Sequence, residues 1–187
     1  MAPHSSYNLI LHNQSSVPNI GSIIFNYLLL SEIMDKVLGY PHFEFIQEEI
    51  LNRLNIKNTF QSVNDVDIND VMSGYHVGYP LDLRTDNRGM LASAEDVGIF
   101  LRALNDGTLF DEGEQEIYSS IYEYEHTGWV PGYYSIARYH EDIDTVIIQF
   151  VSTTGGETWG FSNVIGGKIT GISNIIYNRI VRILNNE

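Results

Sequence analysis

The sequence predicts an α+β fold in which a three-stranded antiparallel sheet, with its strands in meander order, packs with helices. Three observations predict it. Apolar residues recur at helical spacing in the first half of the chain and again at its end. Strand-forming residues dominate between about residues 117 and 155, and turn residues divide that stretch into three strands. At 187 residues the chain is long enough for one domain with a buried core.

The helical part begins with an apolar stripe that ends at a glycine. Its members recur at three- and four-residue steps and predict a helix over residues 23–38: Tyr27, Leu30, Met34 and Leu38. Gly39 follows as a stop signal, and Pro41 fits the first turn of a second helix that runs to about Asn55. A third helix starts at the N-cap Ser93 and ends at Gly107. Residues 60–90 show neither period strongly, and we expect a long, partly ordered excursion there.

The strands follow an acidic stretch at 111–116, which we interpret as a solvated loop. The predicted strands cover residues 121–126, 133–139 and 145–151, and the apolar spacing of the last residues predicts a C-terminal helix over 166–186. Residues 146–151 are apolar on both faces, which is typical of an interior strand. As the last strand of a meander it would lie at an edge, so we expect a further segment or a partner chain to pair with 145–151.

Composition excludes several classes of partner. The chain carries 24 acidic against 10 basic residues, a formal net charge of −14, which repels nucleic acid. No apolar run reaches the roughly 20 residues that cross a bilayer, so no membrane span is predicted. There is no cysteine, and the six histidines show no metal-ligand spacing, so we predict neither metal nor cofactor. Residues 1–6 carry no secretory signal, and the compartment stays undetermined.

Four stretches, taken in their order and spacing, resemble the beta-lactamase-like serine hydrolases, the group of class C beta-lactamases, penicillin-binding proteins and D-Ala-D-Ala carboxypeptidases. The segment 9–16 is similar to the family's Leu-Leu-x-His-x-Ser-Gly segment, and 26–59 is similar to its helical pair and following turn. The helix opened by Ser93-Ala94-Glu95-Asp96 is similar to its Ser-Thr-x-x-Asp helix. Residues 126–135 resemble the third active-site motif, Lys-Thr-Gly or His-x-Gly, with its Pro-Gly hairpin.

The resemblance implies an acyl-transfer site, of which this chain carries one part. In the family a Ser-x-x-Lys pair supplies the nucleophile and a Tyr-x-Asn supplies the proton shuttle. The chain has three lysines, and the residues three positions before them are Ile33, Leu54 and Ile165. Ser22-Ile23-Ile24 stands where Tyr-x-Asn is expected. We therefore predict a single beta-lactamase-like domain over 1–187, incomplete at its N-terminus, with a mainly helical part at 8–110 and the sheet at 117–155.

The candidate site residues are those of the third motif. The resemblance implies that His126, Thr127 and Gly128 form the substrate-binding strand and that Trp129 provides the oxyanion N–H. The plainer interpretation is a structural strand that is kept because it packs. Five tyrosines either line a ligand groove beside this strand or follow strand propensity alone: Tyr122, Tyr124, Tyr133, Tyr134 and Tyr139.

Two functions therefore compete. The first is a catalytically incomplete serine hydrolase homologue. The second is a non-catalytic binding or assembly module that keeps the groove beside His126-Gly128 for a small molecule or peptide and uses its unpaired strand to form a homodimer or recruit a partner. An unrelated Ser-His-Asp site is the minor third possibility.

Overall fold

The computed structural model describes residues 20–84, 89–111, 113–120, 125–154 and 161–185. It divides the chain into two compact units, residues 1–48 and 49–187. Each unit is described by itself, and the prediction of one domain over 1–187 stays a prediction. The mixture of helices with small sheets confirms the predicted combination of α and β structure. Among the described residues, no helix is long and apolar enough to cross a membrane.

The first unit contains α1 (Ile20–Leu38) and α2 (His42–Ile46). Gly39 adopts a φ of +79° and ends α1, as its position in the sequence predicts. Asp35 joins the two helices, because one oxygen of its carboxylate lies 2.5 Å from the backbone N of His42 and 2.8 Å from its ring Nδ1. The second predicted helix is not continuous to Asn55. A π-helix, Gln47–Asn52, follows α2 directly.

The described residues between 58 and 92 form more secondary structure than their weak periodicity suggests. It forms the short strands β1 (Thr59–Phe60), β2 (Tyr75–His76) and β3 (Leu91–Ala92), and two 3-10 turns, Val63–Asp65 and Ile68–Asp70. Ser62 and Asp67 cap these turns with their own side chains. Such local capping satisfies backbone groups without a repeating hydrophobic pattern, which is why periodicity misses it.

Helix α3 (Ala94–Asp106) begins and ends where its sequence signals lie. The hydroxyl of Ser93 accepts a hydrogen bond from the N–H of Asp96, and Gly107 closes the helix at a φ of +79°. A short helix that the sequence did not predict, α4 (Glu114–Ser119), follows. The interpretation of residues 111–116 as a loop is therefore wrong for residues 114–116, which form the first turn of α4.

The main sheet consists of β4 (Glu125–Val130), β5 (Tyr133–His140) and β6 (Thr145–Val151), all antiparallel and in sequence order. The first strand extends to Val130, beyond the predicted end at residue 126, and residues 121–124 of the predicted strand lie outside the described residues. A two-residue turn, Pro131-Gly132, sets the register from the Val130–Tyr133 pair onward. Two smaller pairings, β1 with β3 and β2 with β7 (Thr153–Thr154), complete the described strands.

Helices cover both faces of this sheet. Helix α3 packs against β5 and β6 on one face, where a Cβ placed on Gly98 would lie 3.4 Å from Cδ1 of Ile148. Helix α5 (Phe161–Leu184) covers the other face, where Tyr177 is buried with Ile136 and Ile147. Within the described chain, no strand pairs with the outer edge of β6.

Candidate functional site

A cavity of about 850 Å³ opens beside the β4–β5 hairpin, within the second unit. It has three walls. The first is the segment from Asn58 to Met72, the second is the segment from Met90 to Val97, and the third is the α3-side face of the sheet near the hairpin. The cavity is therefore placed by elements that are far apart in sequence, and its size suits a small organic ligand.

The sheet wall contains one register-matched row of residues. Gly128 on β4 pairs with Ser135 on β5, which pairs with Phe150 on β6, and residues directly opposite each other share a face. All three line the cavity. A Cβ at Gly128 would lie 2.6 Å from the hydroxyl oxygen of Ser135, so the missing side chain leaves room for that hydroxyl.

The hairpin turn is held by a network of side chains from the neighbouring segments. The hydroxyl of Tyr133 donates to the carbonyl of Met72 at 2.8 Å, and the N–H of Gly132 donates to the hydroxyl of Thr154 at 2.7 Å. Thr154 is buried, and its hydroxyl lies 2.8 Å from Nδ1 of His76. These contacts fix the turn against the loop that carries the first wall.

Close packing at two glycines reinforces this contact. A Cβ at Gly74 would overlap the ring of Tyr133, and Gly132 adopts a φ of +90°, where a side chain is strained. Both positions therefore require glycine for the loop and the turn to meet.

Asp82 organises the end of that loop. It accepts hydrogen bonds from the backbone N–H of Gly74 and from both the backbone N–H and Nε of Arg84, the last at 2.7 Å. Desolvation acts to raise the pKa of Asp82. Hydrogen bonds outweigh it and hold that pKa below its usual value, and they come from Arg84, Gly74 and Ser73. The charge of Arg84 lowers the pKa further. The carboxylate stays ionised and the loop stays closed around it.

Asp96 joins the other two walls. Its carboxylate is buried and accepts hydrogen bonds from the N–H of Asn58 at 2.6 Å and the hydroxyl of Thr59 at 2.9 Å. Since Asp96 lies in the first turn of α3, it ties the start of the first wall to the helix that continues the second. Asp96 is thus a positioning residue for the cavity.

The cavity lining is apolar with an acidic margin. Its larger apolar side chains are Phe60, Met72, Met90, Tyr133 and Phe150. Three carboxylates, Asp65, Asp67 and Asp70, lie in the first wall, and among the described residues that line the cavity there is no lysine, arginine or histidine. Asp65 and Asp67 are engaged as turn caps, whereas no bond within the described chain ties the side chain of Asp70. The electrostatics favour a cationic or neutral ligand over an anion.

All four predicted site residues lie on β4. His126, Thr127, Gly128 and Trp129 pair in register with residues 137 to 134 of β5. Gly128 lines the cavity. The side chains of the other three lie outside what the structure describes, so their assigned roles stay predictions.

Of the five tyrosines considered, Tyr133 and Tyr134 line the cavity. Tyr139 lies elsewhere, and its hydroxyl donates to Asp144 at 3.0 Å. Tyr122 and Tyr124 fall outside the described residues. The sequence did not single out Ser135, although the two-residue turn at Pro131-Gly132 implies its pairing with Gly128.

Among the residues that the structure describes, no three histidine, aspartate or glutamate side chains are grouped so that they could hold a metal ion. The hydrogen-bonding groups around the cavity are backbone amides, hydroxyls and carboxylates.

Comparisons with known proteins identify the fold. No protein-family model matches the chain, and no curated protein matches it. Among solved structures, D-amino acid amidase from Ochrobactrum anthropi SV3 in complex with D-phenylalanine is 20% identical, with a TM-score of 0.57 over 71% of this chain and 55% of the amidase. Its complex with L-phenylalanine gives 19% identity and a TM-score of 0.60 over 79% and 55% of the two chains.

A D-stereospecific amidohydrolase from Streptomyces sp. is 15% identical, with a TM-score of 0.54 over 68% of this chain and 48% of that one. The fold is that of part of these amidohydrolases. This chain spans about half the length of those proteins. The similarity shows the fold alone, and it does not single out the beta-lactamase or carboxypeptidase class that the sequence resembles.

Proposed function

We propose that this chain is a serine-hydrolase-related polypeptide that binds a small ligand in the cavity beside β4 and, taken by itself, performs no acyl transfer. The observation that carries the proposal is the cavity itself, because it opens along the one strand that resembles an active-site motif and takes Gly128 into its wall.

The lining indicates the chemical class of the ligand. Aromatic and thioether side chains favour an apolar or aromatic body, and the carboxylates of the first wall favour a cationic group. An amide of an aromatic amino acid combines these features at neutral pH. One of the related amidase structures is a complex with L-phenylalanine amide, which makes that compound a suitable probe.

The chemistry that is missing is equally specific. Acyl transfer in this family needs a serine hydroxyl activated by a lysine one helical turn away, and no Ser-x-x-Lys occurs in the sequence. In the proposal, the strand of His126, Thr127 and Gly128 binds the ligand along its edge, and the N–H of Trp129 faces a ligand oxygen. Binding without a nucleophile gives recognition without turnover.

Binding is tested by calorimetric titration with D- and L-phenylalanine amide. We expect both to bind, and we expect Asp70→Asn to weaken binding about fivefold, which corresponds to roughly 1 kcal/mol for an exposed charge. Asp142→Asn is the matched control, because it removes the same charge from the exposed turn between β5 and β6. Equal weakening by both variants, or no binding, contradicts the proposal.

Turnover is tested with a fluorophosphonate probe that labels activated serines. We expect no labelling of the purified chain. Labelling of one specific serine, lost when that serine is replaced by alanine, would instead establish an unrelated Ser-His-Asp site and an active hydrolase.

The second candidate is a non-catalytic assembly module. The open edge of β6 favours it, because within the described residues the strand at 145–151 has a neighbour on one side only. Hydrogen exchange distinguishes the two functions. Slow exchange of the β6 backbone amides that point away from β5 would indicate that the strand edge is paired in the purified chain. Fast exchange of these amides would argue against the assembly module and favour ligand binding.

A further inference from the structure

The hydroxyl of Ser135 is a polar group in the sheet wall of the cavity. Ser135 lines the cavity and is partly buried on the α3 side of β5. Within the described ranges of the chain, no residue forms a hydrogen bond with this hydroxyl. A hydroxyl offers one donor and two acceptor sites, so Ser135 can bind a polar group of a molecule that enters the cavity.

The other hydroxyl groups of the described lining are occupied or lie elsewhere. The hydroxyl of Ser93 caps the start of α3, and that of Tyr133 donates to the carbonyl of Met72. The side chain of Tyr134 packs against the buried cluster on the α5 side of the sheet. On the cavity side of the described sheet wall, Ser135 therefore carries the one hydroxyl that no other residue holds.

The absence of a side chain at Gly128 gives this hydroxyl its place. Gly128 lies directly opposite Ser135, and a Cβ at position 128 would lie 2.6 Å from the Ser135 oxygen. On the other flank Ser135 pairs with Phe150, whose ring also lines the cavity. The hydroxyl is thus a single polar point between a bare stretch of backbone and an aromatic ring.

Such a hydroxyl discriminates between ligands. A ligand that covers it with hydrocarbon removes it from water and leaves it unsatisfied, which opposes binding. A carboxamide satisfies it in either orientation, because its carbonyl oxygen accepts from the hydroxyl and its NH2 group donates to it. A carboxylate would also accept, but the aspartates of the first wall disfavour a second negative charge.

We propose that the Ser135 hydroxyl binds the carboxamide of the ligand and selects amides over amines that lack this group. The inference rests on the proposed function, because it adds a sheet-wall contact to a ligand whose ammonium group the first wall attracts. Among the described lining residues there is no lysine or histidine to take the proton of Ser135, so its hydroxyl acts as a hydrogen-bonding group and not as a nucleophile.

The test compares two ligands by calorimetric titration. L-phenylalanine amide and phenethylamine share the aromatic ring and the amine, and phenethylamine lacks the carboxamide. At about pH 6, below the ordinary pKa of α-amino groups, both carry a positive charge. We expect the wild type to prefer the amide. Ser135→Ala should weaken amide binding about fivefold and change phenethylamine binding less than about twofold, because only the amide loses a hydrogen bond.

Two further variants separate the hydrogen bond from other effects. Ser119→Ala is the matched control, because it removes the same hydroxyl from an exposed position on α4 outside the cavity, and it should change neither affinity. Ser135→Cys keeps a side chain of similar shape, but a thiol is a weak hydrogen-bonding group, so this variant should bind the amide about as weakly as Ser135→Ala. Urea unfolding checks that all variants are folded.

The inference and the proposed function fail in different ways. If the wild type binds the amide but Ser135→Ala weakens both ligands equally, or neither, then Ser135 does not contact the carboxamide and only the inference is wrong. Full binding of the amide by Ser135→Cys would also overturn it, because shape alone would then explain the role of Ser135. A wild type that binds neither ligand would overturn the proposed function and the inference together.

Discussion

The two faces of the β4–β6 sheet are built from alternate residues of the same three strands. We call the face that packs on α5 the closed face, and the face that borders the cavity at one end the open face. On the closed face Ile136 and Ile147 are buried beneath Tyr177 of α5. On the open face the row of Gly128, Ser135 and Phe150 borders the cavity. The backbone geometry is common to both faces, so the difference lies in their side chains and in the segments that lie over each face.

The closed face should dominate stability. Ile147→Ala removes buried methyl and methylene groups from the cluster with Ile136 and Tyr177, and we expect the free energy of unfolding to fall by about 2–4 kcal/mol. Urea denaturation followed by circular dichroism measures this.

The matching change on the open face is Phe150→Ala. Because Phe150 is already 38% exposed, we expect a loss below about 1 kcal/mol, together with weaker binding of phenylalanine amide. Similar losses of stability in the two variants would show that the faces do not differ as described.

The second-largest effect should come from Asp96, which joins the first and second walls of the cavity on the open face. Asp96→Ala leaves the N–H of Asn58 and the hydroxyl of Thr59 without their buried acceptor, and we expect a loss of about 1–3 kcal/mol. Thermal and urea unfolding measure it. Glu95→Ala removes the same charge from the same helical turn at an exposed position and should cost less than about 1 kcal/mol. An equal cost would mean that the helix dipole, and not the link to the first wall, explains the effect.

The sequence predicts those parts of the molecule whose causes are local. The N-cap Ser93 and the terminal Gly107 fix α3 because both act within one helical turn. The boundaries of β6 follow from its apolar run and turns. The turn at Pro131-Gly132 fixes the pairing of β4 with β5.

The cavity could not be predicted in the same way, because its walls depend on distant contacts. Tyr133 reaches Met72, 61 residues away, and Asp96 reaches Asn58, 38 residues away. No periodicity encodes such pairs. The strand with the third-motif resemblance contributes Gly128 to the cavity wall, but the opposing residues Phe60, Met72 and Met90 belong to no motif.

A smaller effect, confined to the open face, is expected at Gly128. Gly128→Ala places a methyl group 2.6 Å from the Ser135 hydroxyl oxygen, which must then turn towards the cavity. We expect a stability loss of about 0.5–1 kcal/mol and a clear loss of ligand affinity, measured by urea unfolding and calorimetry. The double variant with Ser135→Ala removes the clash, since the two Cβ atoms would then be 3.9 Å apart. It should therefore regain stability, and strictly additive effects would contradict the close contact.

The smallest expected effect is a pH dependence that belongs to the closed face. Burial and the charge of Arg138 lower the pKa of His140 below its model-compound value of 6.5, against the opposing charge of Asp142. The folded protein thus binds this proton less readily than the unfolded chain. The contribution to stability is fully present above pH 6.5 and is lost as the pH falls through that value towards the lower folded pKa.

Because the hydroxyl of Tyr177 lies 2.8 Å from Nε2 of His140, the neutral ring can accept its hydrogen bond, and the protonated ring cannot. Melting temperatures measured between about pH 7.5 and 5.5 should fall more for the wild type than for His140→Gln. Carboxylates titrate below most of this range, and they contribute equally to both proteins. Parallel curves for the two proteins would show that the proton binds equally well to the folded and unfolded chains, and that the closed face does not hold His140 neutral.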